Sequence, residues 1–276
     1  MIDPAIQTIT ILVLVISTVT CWGLCWTIAS YLCQKSQNYQ TLVDRFVLDF
    51  LFHFVVFKTI MDVTICLFRF QYQCGETFAL LFQAISALSI LSLLTWLIAV
   101  ILVKYTTIFH PSLFADSDDT DKEILLKARF FHYGIIIIQF ILEFGYLQNF
   151  QHSFIYLKLS GKKDAKQQRF HPGILHLLIL ATISSIIYVN LKIKRSGYQD
   201  KRSKKWLQKL IPVIICFVLI YTFFPVHSTR PEILKSAVAC IFSWTVALLP
   251  ALFIATYDNL RNYLSQKFHL VVWYLK

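Results

Sequence analysis

Charge is scarce in this 276-residue sequence, and so is glycine. Only 15% of the residues are charged, whereas 57% are hydrophobic and the mean hydropathy is +0.62. A soluble domain contains roughly 25% charged residues, so this composition excludes an ordinary soluble protein. Glycine occurs seven times, which argues against the broken helices on which many transporters depend.

Motifs for catalysis, metal binding and glycosylation are also lacking. The sequence has no Cys/His cluster with metal-ligand spacing, no glycine-rich phosphate loop, no N-x-[ST] sequon and no internal repeat. We therefore expect neither an enzyme nor a cofactor. The net charge of +11 requires no nucleic-acid partner, because basic loops over anionic lipid account for most of it.

What the sequence does contain is a series of seven long apolar blocks. A helix of about 20 apolar residues crosses the roughly 30 Å hydrocarbon layer and satisfies its backbone hydrogen bonds internally. The sequence therefore predicts an all-α membrane protein, a seven-transmembrane helix bundle formed by residues 1–256. The blocks cover approximately residues 6–33, 46–68, 78–103, 125–148, 173–193, 206–226 and 233–256.

Lysine and arginine in the connecting segments predict the orientation of this bundle. The segments after the first, third, fifth and seventh blocks, with the adjoining helix ends, contain 17 of the 26 basic residues, and the opposite side contains eight. The positive-inside rule then places the N-terminus outside and the C-terminus in the cytoplasm. We expect residues 257–276 to form a short cytoplasmic amphipathic helix and tail.

The end of the third block resembles the same region of G-protein-coupled receptors. Lys104 and Tyr105 stand where the helix leaves the membrane, and Pro111 follows. In those receptors a basic residue and an aromatic residue precede a proline in the second intracellular loop. The acidic residue that usually precedes the basic one is replaced by Val103, so the match to the rhodopsin-like group is incomplete.

The bitter taste receptor family gives a closer resemblance. The run LIAVILVKYTTIFHP contains Lys104, His110 and Pro111 at a spacing similar to the end of that family's third helix. The seventh block ends with a Leu260–Arg261 pair like that of the family, although it carries Leu249–Pro250 where the family usually has His-Ser. The sixth block, LQKLIPVIICFVLIYTFF, is similar to the family pattern at Leu207, Lys209, Leu210, Phe217, Leu219 and Tyr221.

This resemblance implies a chemosensory receptor in the plasma membrane, whose partners are a small-molecule ligand, a heterotrimeric G protein and the lipid bilayer. It covers the third, fifth, sixth and seventh blocks. The arginine that the family carries in its second helix and the glycosylation site of its second outer loop are both absent.

Polar residues inside the apolar blocks are candidates for ligand binding, because ionisable groups in a membrane are costly. Lys58 and Asp62 are four residues apart, so they share a helix face and can form an ion pair. This pair either binds ligand or only orders the second helix against its neighbours. The full set of candidates that could line an outward-facing pocket is Lys58, Asp62, Phe82, Gln83, Ser86, Glu143, His176 and Tyr221.

A second set of candidates lies at the predicted cytoplasmic ends of the helices. The basic run KIKRSGYQDKRSKKWLQK is explained by topology alone, but it also offers a docking face for a G protein. We assign G-protein coupling to Lys104, Tyr105, Tyr188, Lys205 and Arg261.

Two other classes of membrane protein fit the sequence less well than a receptor does. A multi-pass transporter or lipid-handling protein should show midplane helix breaks with paired repeats, or His/Asp clusters at the membrane interface, and neither is visible in the sequence. A retinal photoreceptor needs a lysine near the middle of the seventh helix, but Lys235 stands at the outer end of that block.

Overall fold

The computed structural model describes residues 4–34, 42–69, 75–110, 118–145, 173–195, 232–251 and 262–266. These described residues contain helices and no strand, so the predicted all-helical fold is confirmed for this part of the chain. The main helices are α1 (Pro4–Gln34), α2 (Leu42–Arg69), α3 (Glu76–Phe109), α4 (Asp118–Gly145), α5 (Gly173–Arg195) and α6 (Glu232–Ala247). The sixth predicted block, 206–226, lies outside the described residues.

Each of these helices overlaps a predicted apolar block. Helix α3 is 34 residues long and ends at Phe109, and the backbone N–H of the following residue, His110, donates to the carbonyl oxygen of Thr106 at 2.8 Å. The next residue is Pro111, which has no N–H with which to continue the helix.

Helix α4 begins at Asp118, well before the predicted start at residue 125. Its polar first turns carry several acidic residues, which suit the positive end of the helix dipole. Glu123 pairs with Lys127 one turn later at 2.6 Å. The hydrogen bond from the Lys127 ammonium lowers the pKa of the Glu123 carboxyl group.

Three helical stretches are long and apolar enough to cross a membrane, judged by length and composition. They are Pro4–Gln34, Leu42–Leu67 and Ala84–Thr107, and a shorter apolar helix covers Ser236–Ala251. These stretches correspond to the first three predicted blocks, and the remaining crossings of the predicted seven stay a prediction.

Among the described helices α3 is central, and it packs against α2, α4 and α5. Helices α1 and α2 are antiparallel, because Thr18 contacts Asp62 while the later residue Trp22 contacts the earlier residue Thr59. Helix α6 packs beside α1 and also touches α2. The first and last of the main helices are therefore neighbours.

The core of the bundle is apolar and follows one face of each central helix. On α3 the side chains of Leu93, Leu94, Trp96, Leu97 and Ile101 are at most 1% exposed. In lipid, close packing of such side chains, rather than their removal from water, stabilises the contact between helices. Large apolar side chains also point away from the bundle on α1 and α4, including Trp26 and Phe130, as expected of surfaces that face lipid.

Part of the predicted C-terminal amphipathic helix is described. Residues 262–266 are helical, and the Tyr263 ring lies 5.3 Å from the Tyr31 ring near the end of α1. The Tyr263 hydroxyl also donates to the side-chain oxygen of Gln34. This short helix is thus held against the end of α1 that the sequence places in the cytoplasm.

Candidate functional site

A buried polar cluster joins α1, α2 and α6, and Lys58 and Asp62 of α2 form its centre. The Lys58 side chain is 0% exposed and that of Asp62 is 6% exposed, and the two form an ion pair across one helical turn. The pairing expected from their spacing is confirmed. Ser17 and Thr18 of α1 and Ser243 of α6 complete the cluster.

The hydrogen bonds of this cluster use all three donors of the Lys58 ammonium. The Nζ atom donates to Ser17 Oγ at 3.0 Å, to Ser243 Oγ at 2.9 Å and to Asp62. Asp62 in turn accepts from Ser243 at Oδ1 at 2.9 Å, and from Thr18 at Oδ2. A buried charge is tolerated only when it is paired and hydrogen-bonded in this way.

This cluster is internal and ties three helices together. Ser17 and Ser243 also contact each other across 226 positions of sequence, so the cluster fixes how α6 sits beside α1. A ligand could reach Lys58 or Asp62 only by replacing one of these contacts. The geometry thus gives the pair a structural role, and its role in ligand binding stays a prediction.

The remaining predicted ligand-binding residues are partly described. Phe82 stacks on Phe78 with the ring centroids 5.9 Å apart. Ser86 is buried, and its hydroxyl has no hydrogen-bond partner among the described residues. Gln83, Glu143 and His176 lie on α3, α4 and α5, but their side chains are outside the described part. Tyr221 lies outside the described residues altogether.

A second buried polar group, which we call the histidine layer, joins α2, α3 and α4. It consists of His53, Ser92, Thr95 and His132. Ser92 Oγ lies 2.8 Å from His53 Nδ1 and 3.1 Å from His132 Nε2. The other ring nitrogen of His132 lies 2.7 Å from Thr95 Oγ1. Trp96 packs against both imidazoles, with its ring stacked on that of His53 at 5.6 Å.

Sequence reasoning missed this layer. Neither His53 nor His132 was among the predicted ligand-binding or coupling residues. The available signal was a histidine in each of two apolar blocks together with hydroxyl residues at i and i+3 on the third. Nothing in the sequence alone, however, says that these residues meet.

A charged contact lies one turn away from the histidine layer. Arg129 of α4 donates from Nε and from its terminal nitrogen to the two carboxylate oxygens of Asp49 on α2, each at 2.8 Å. This two-bond arrangement orients the guanidinium as well as pairing its charge. Arg129 is partly exposed while Asp49 is more protected, with side chains 44% and 19% exposed. The ion pair therefore links α4 to α2.

The coupling residues predicted at the cytoplasmic end of the bundle are also partly brought together. Lys192 of α5 donates to the hydroxyl of Tyr105 on α3 and lies 5.0 Å from the centre of the Tyr105 ring. The Tyr188 ring is 5.9 Å from that of Tyr105, and Lys104 is half-buried nearby on α3. Sequence reasoning named Tyr105 and Tyr188 but missed Lys192. Lys205 and Arg261 lie outside the described residues.

Comparison with models of known protein families gives no match, and neither does comparison with curated proteins.

Proposed function

We propose that the chain is a G-protein-coupled receptor of the plasma membrane, a divergent relative of the bitter taste receptors. It binds a small molecule in a pocket that opens to the outside of its seven-helix bundle and activates a heterotrimeric G protein. The main observation in support of the proposal is the contact between α1 and α6. Ser17 of α1 meets Ser243 of α6 over the Lys58–Asp62 pair, so the first and seventh predicted spans are neighbours.

The distribution of side chains along the bundle supports the same function. Toward the predicted outer end, α3 carries Phe82 and the buried hydroxyl of Ser86, which has no hydrogen-bond partner among the described residues. Apolar walls with a few polar groups suit a small molecule. Toward the predicted cytoplasmic end, the same helix carries Lys104 and Tyr105, and Tyr105 contacts α5. Because α3 spans both regions, a change in packing at one end can alter the other.

The alternative is a multi-pass transporter or lipid-handling protein. A buried ion pair such as Lys58–Asp62 also occurs in ion-coupled transport. Transporter sites, however, are typically built from helices that are broken near the midplane. The three span-length helices described here, Pro4–Gln34, Leu42–Leu67 and Ala84–Thr107, are continuous, which favours the receptor.

The proposal is tested by G-protein activation in cells that express the chain and are exposed to a broad panel of small molecules. We expect at least one compound to activate a G protein only in expressing cells. Lys104→Ala should abolish this response while leaving surface expression and ligand binding near the wild-type level. Lys127→Ala is the matched control, because this exposed lysine lies near the same predicted end but on α4.

Three results would argue against this function. The first is an absence of activation with every compound and G protein. The second is uptake of a labelled compound across the membrane without activation. The third is an equal loss of surface expression in Lys104→Ala, which would mean that this residue only anchors the end of α3 at the lipid headgroups.

A further inference from the structure

The histidine layer has a feature that the proposed receptor function does not use. The hydroxyl oxygen of Ser92 on α3 lies within hydrogen-bond distance of two imidazoles from different helices. These are His53 on α2 and His132 on α4. All three residues are buried, with 8%, 5% and 7% of their surface exposed. Their hydrogens must therefore be shared within the group, because little water reaches them.

When both imidazoles are neutral, one arrangement of hydrogens satisfies every contact. His132 donates from Nδ1 to Thr95, whose own hydroxyl donates to the carbonyl oxygen of Ser92 at 2.9 Å. The Ser92 hydroxyl donates to His132 Nε2, and its oxygen accepts from His53 Nδ1. Each oxygen and nitrogen in these contacts then has a matching partner.

One added proton also fits without loss of a contact. It binds either to His53 Nε2, which leaves the other bonds unchanged, or to His132 Nε2. In the second case, His132 donates to Ser92, and the Ser92 hydroxyl turns to donate to His53 Nδ1, with the hydrogen of His53 now on Nε2. The group gains one proton and one positive charge in both cases, and Ser92 lets either ring carry it.

A second proton binds only with the loss of a contact. Both rings would then donate to Ser92, and the hydroxyl hydrogen of Ser92 would have no acceptor among these groups. Two cations would also face each other with ring centroids 5.0 Å apart. At that separation the second proton should bind on the order of 100-fold more weakly than the first.

The charged groups nearest the layer belong to the Asp49–Arg129 and Lys58–Asp62 ion pairs. On α2, Asp49 lies one turn from His53 and is held by Arg129, and Lys58 lies beyond His53 in the other direction. On α4, Arg129 and Tyr133 flank His132, and Tyr133 contacts the His132 ring at 5.2 Å. Helix α3 has no charged residue between Glu76 and Lys104, and Lys104 lies about 18 Å along the helix from Ser92.

We propose that His53, Ser92 and His132 form one proton-binding site that takes up a single proton shared between α2 and α4. The ligand is the proton itself, and the site depends on the contact geometry rather than on the receptor function. A charge in this layer lies one turn from the Asp49–Arg129 contact, so proton uptake is coupled to the packing of α4 against α2.

The test is histidine-selective NMR of the full-length protein in lipid nanodiscs, titrated from about pH 8 down to about pH 3, a range that includes the ordinary histidine pKa. The variants His53→Gln and His132→Gln identify the two resonances. His110→Gln identifies an exposed histidine at the end of α3, which serves as the independent control. Because this experiment uses no G protein, its result stands apart from that of the receptor proposal.

In the wild type, we expect the His53 and His132 resonances to shift together with one common midpoint as the first proton binds. A second shift should follow at lower pH, because the second proton binds about 100-fold more weakly. In His132→Gln, the His53 resonance should move in a single step with no second shift. In Ser92→Ala, the two midpoints should separate, whereas Ser92→Thr, which keeps the hydroxyl, should restore the common midpoint. None of these substitutions should change the behaviour of the His110 resonance relative to the wild type.

The proposal would be overturned by independent midpoints for the two histidines in the wild type, or by the absence of any shift over this range. It would also be overturned if Ser92→Ala left the common midpoint intact. Should Ser92→Ala fail to fold, the comparison of the wild type with His132→Gln decides the question alone, because only a shared site loses its second step when one ring is removed.

Discussion

At the scale of single residues, the Lys58–Asp62 pair shows what helical spacing can and cannot predict. Two oppositely charged residues four apart must lie on one face of a helix, and the structure confirms their contact. The partners Ser17 and Ser243 lie 41 and 185 positions from Lys58. No periodicity within one block determines which residues of another helix face it, so this part of the cluster could not be predicted.

The pair should tolerate the loss of both charges better than the loss of one. Lys58→Leu or Asp62→Leu alone leaves a buried ion without its partner, which costs about 3–5 kcal/mol. We expect either variant to reduce the amount of folded protein at the cell surface, measured with an outer epitope tag, and the double variant to recover it. No recovery would mean that the two side chains do not depend on each other.

The same double variant distinguishes a structural role from ligand binding. If the pair also binds ligand, the recovered double variant should reach the surface and still fail to respond to an active compound. Recovery of both surface expression and response would make the pair structural only.

Ser243 should contribute to the stability of the protein through its hydrogen bonds to Lys58 and Asp62. Ser243→Ala removes one acceptor from Lys58 and one donor to Asp62, and a buried charged group that loses a partner costs about 1–3 kcal/mol. We expect a lower midpoint of thermal unfolding in detergent. Thr245→Ala is the control, because the Thr245 hydroxyl donates only to Ile241 of its own helix and is exposed. Equal effects of the two variants would contradict the cluster.

At the scale of helices, the sequence predicted positions well and mutual packing poorly. Long apolar runs gave α1, α2 and α3, because lipid requires helices of this length and composition. The extension of α4 back to Asp118 was missed, since its first turns are polar and are stabilised by local charge rather than by burial. The contact of α2 with α4 through Asp49 and Arg129 depends on tertiary packing, which no single block encodes.

The Asp49–Arg129 contact should stabilise the packing of α4 more than the Glu123–Lys127 ion pair does. Arg129→Lys keeps the charge but loses the two-bond geometry, and Arg129→Gln loses the charge as well. Because Arg129 is partly exposed, we expect a modest loss of about 1 kcal/mol for Arg129→Gln and a smaller one for Arg129→Lys, measured by thermal unfolding.

Lys127→Gln provides the comparison within the same helix. Lys127 pairs with Glu123, and both side chains are more than half exposed, so solvent screens their attraction. We expect no resolvable change in the unfolding midpoint. A loss as large as that of Arg129→Gln would show that charge on α4, rather than its contact with α2, determines stability.

At the scale of the whole molecule, composition alone predicted the class of protein. A chain with 57% hydrophobic and 15% charged residues places its apolar surface against lipid, and the exposed apolar side chains of α1 and α4 agree with this. Three helices of span length are described, and the other predicted crossings stay a prediction. Arg129 lies within the fourth predicted block, where Asp49 pairs its charge.

We predict a bundle of seven membrane crossings with the N-terminus outside and the C-terminus in the cytoplasm. It is tested most directly by epitope tags placed separately at the two ends of the chain and detected on intact and on permeabilised cells. We predict that antibody reaches the N-terminal tag on intact cells and the C-terminal tag only after permeabilisation. Detection of both tags on the same side would require an even number of crossings and would contradict the receptor.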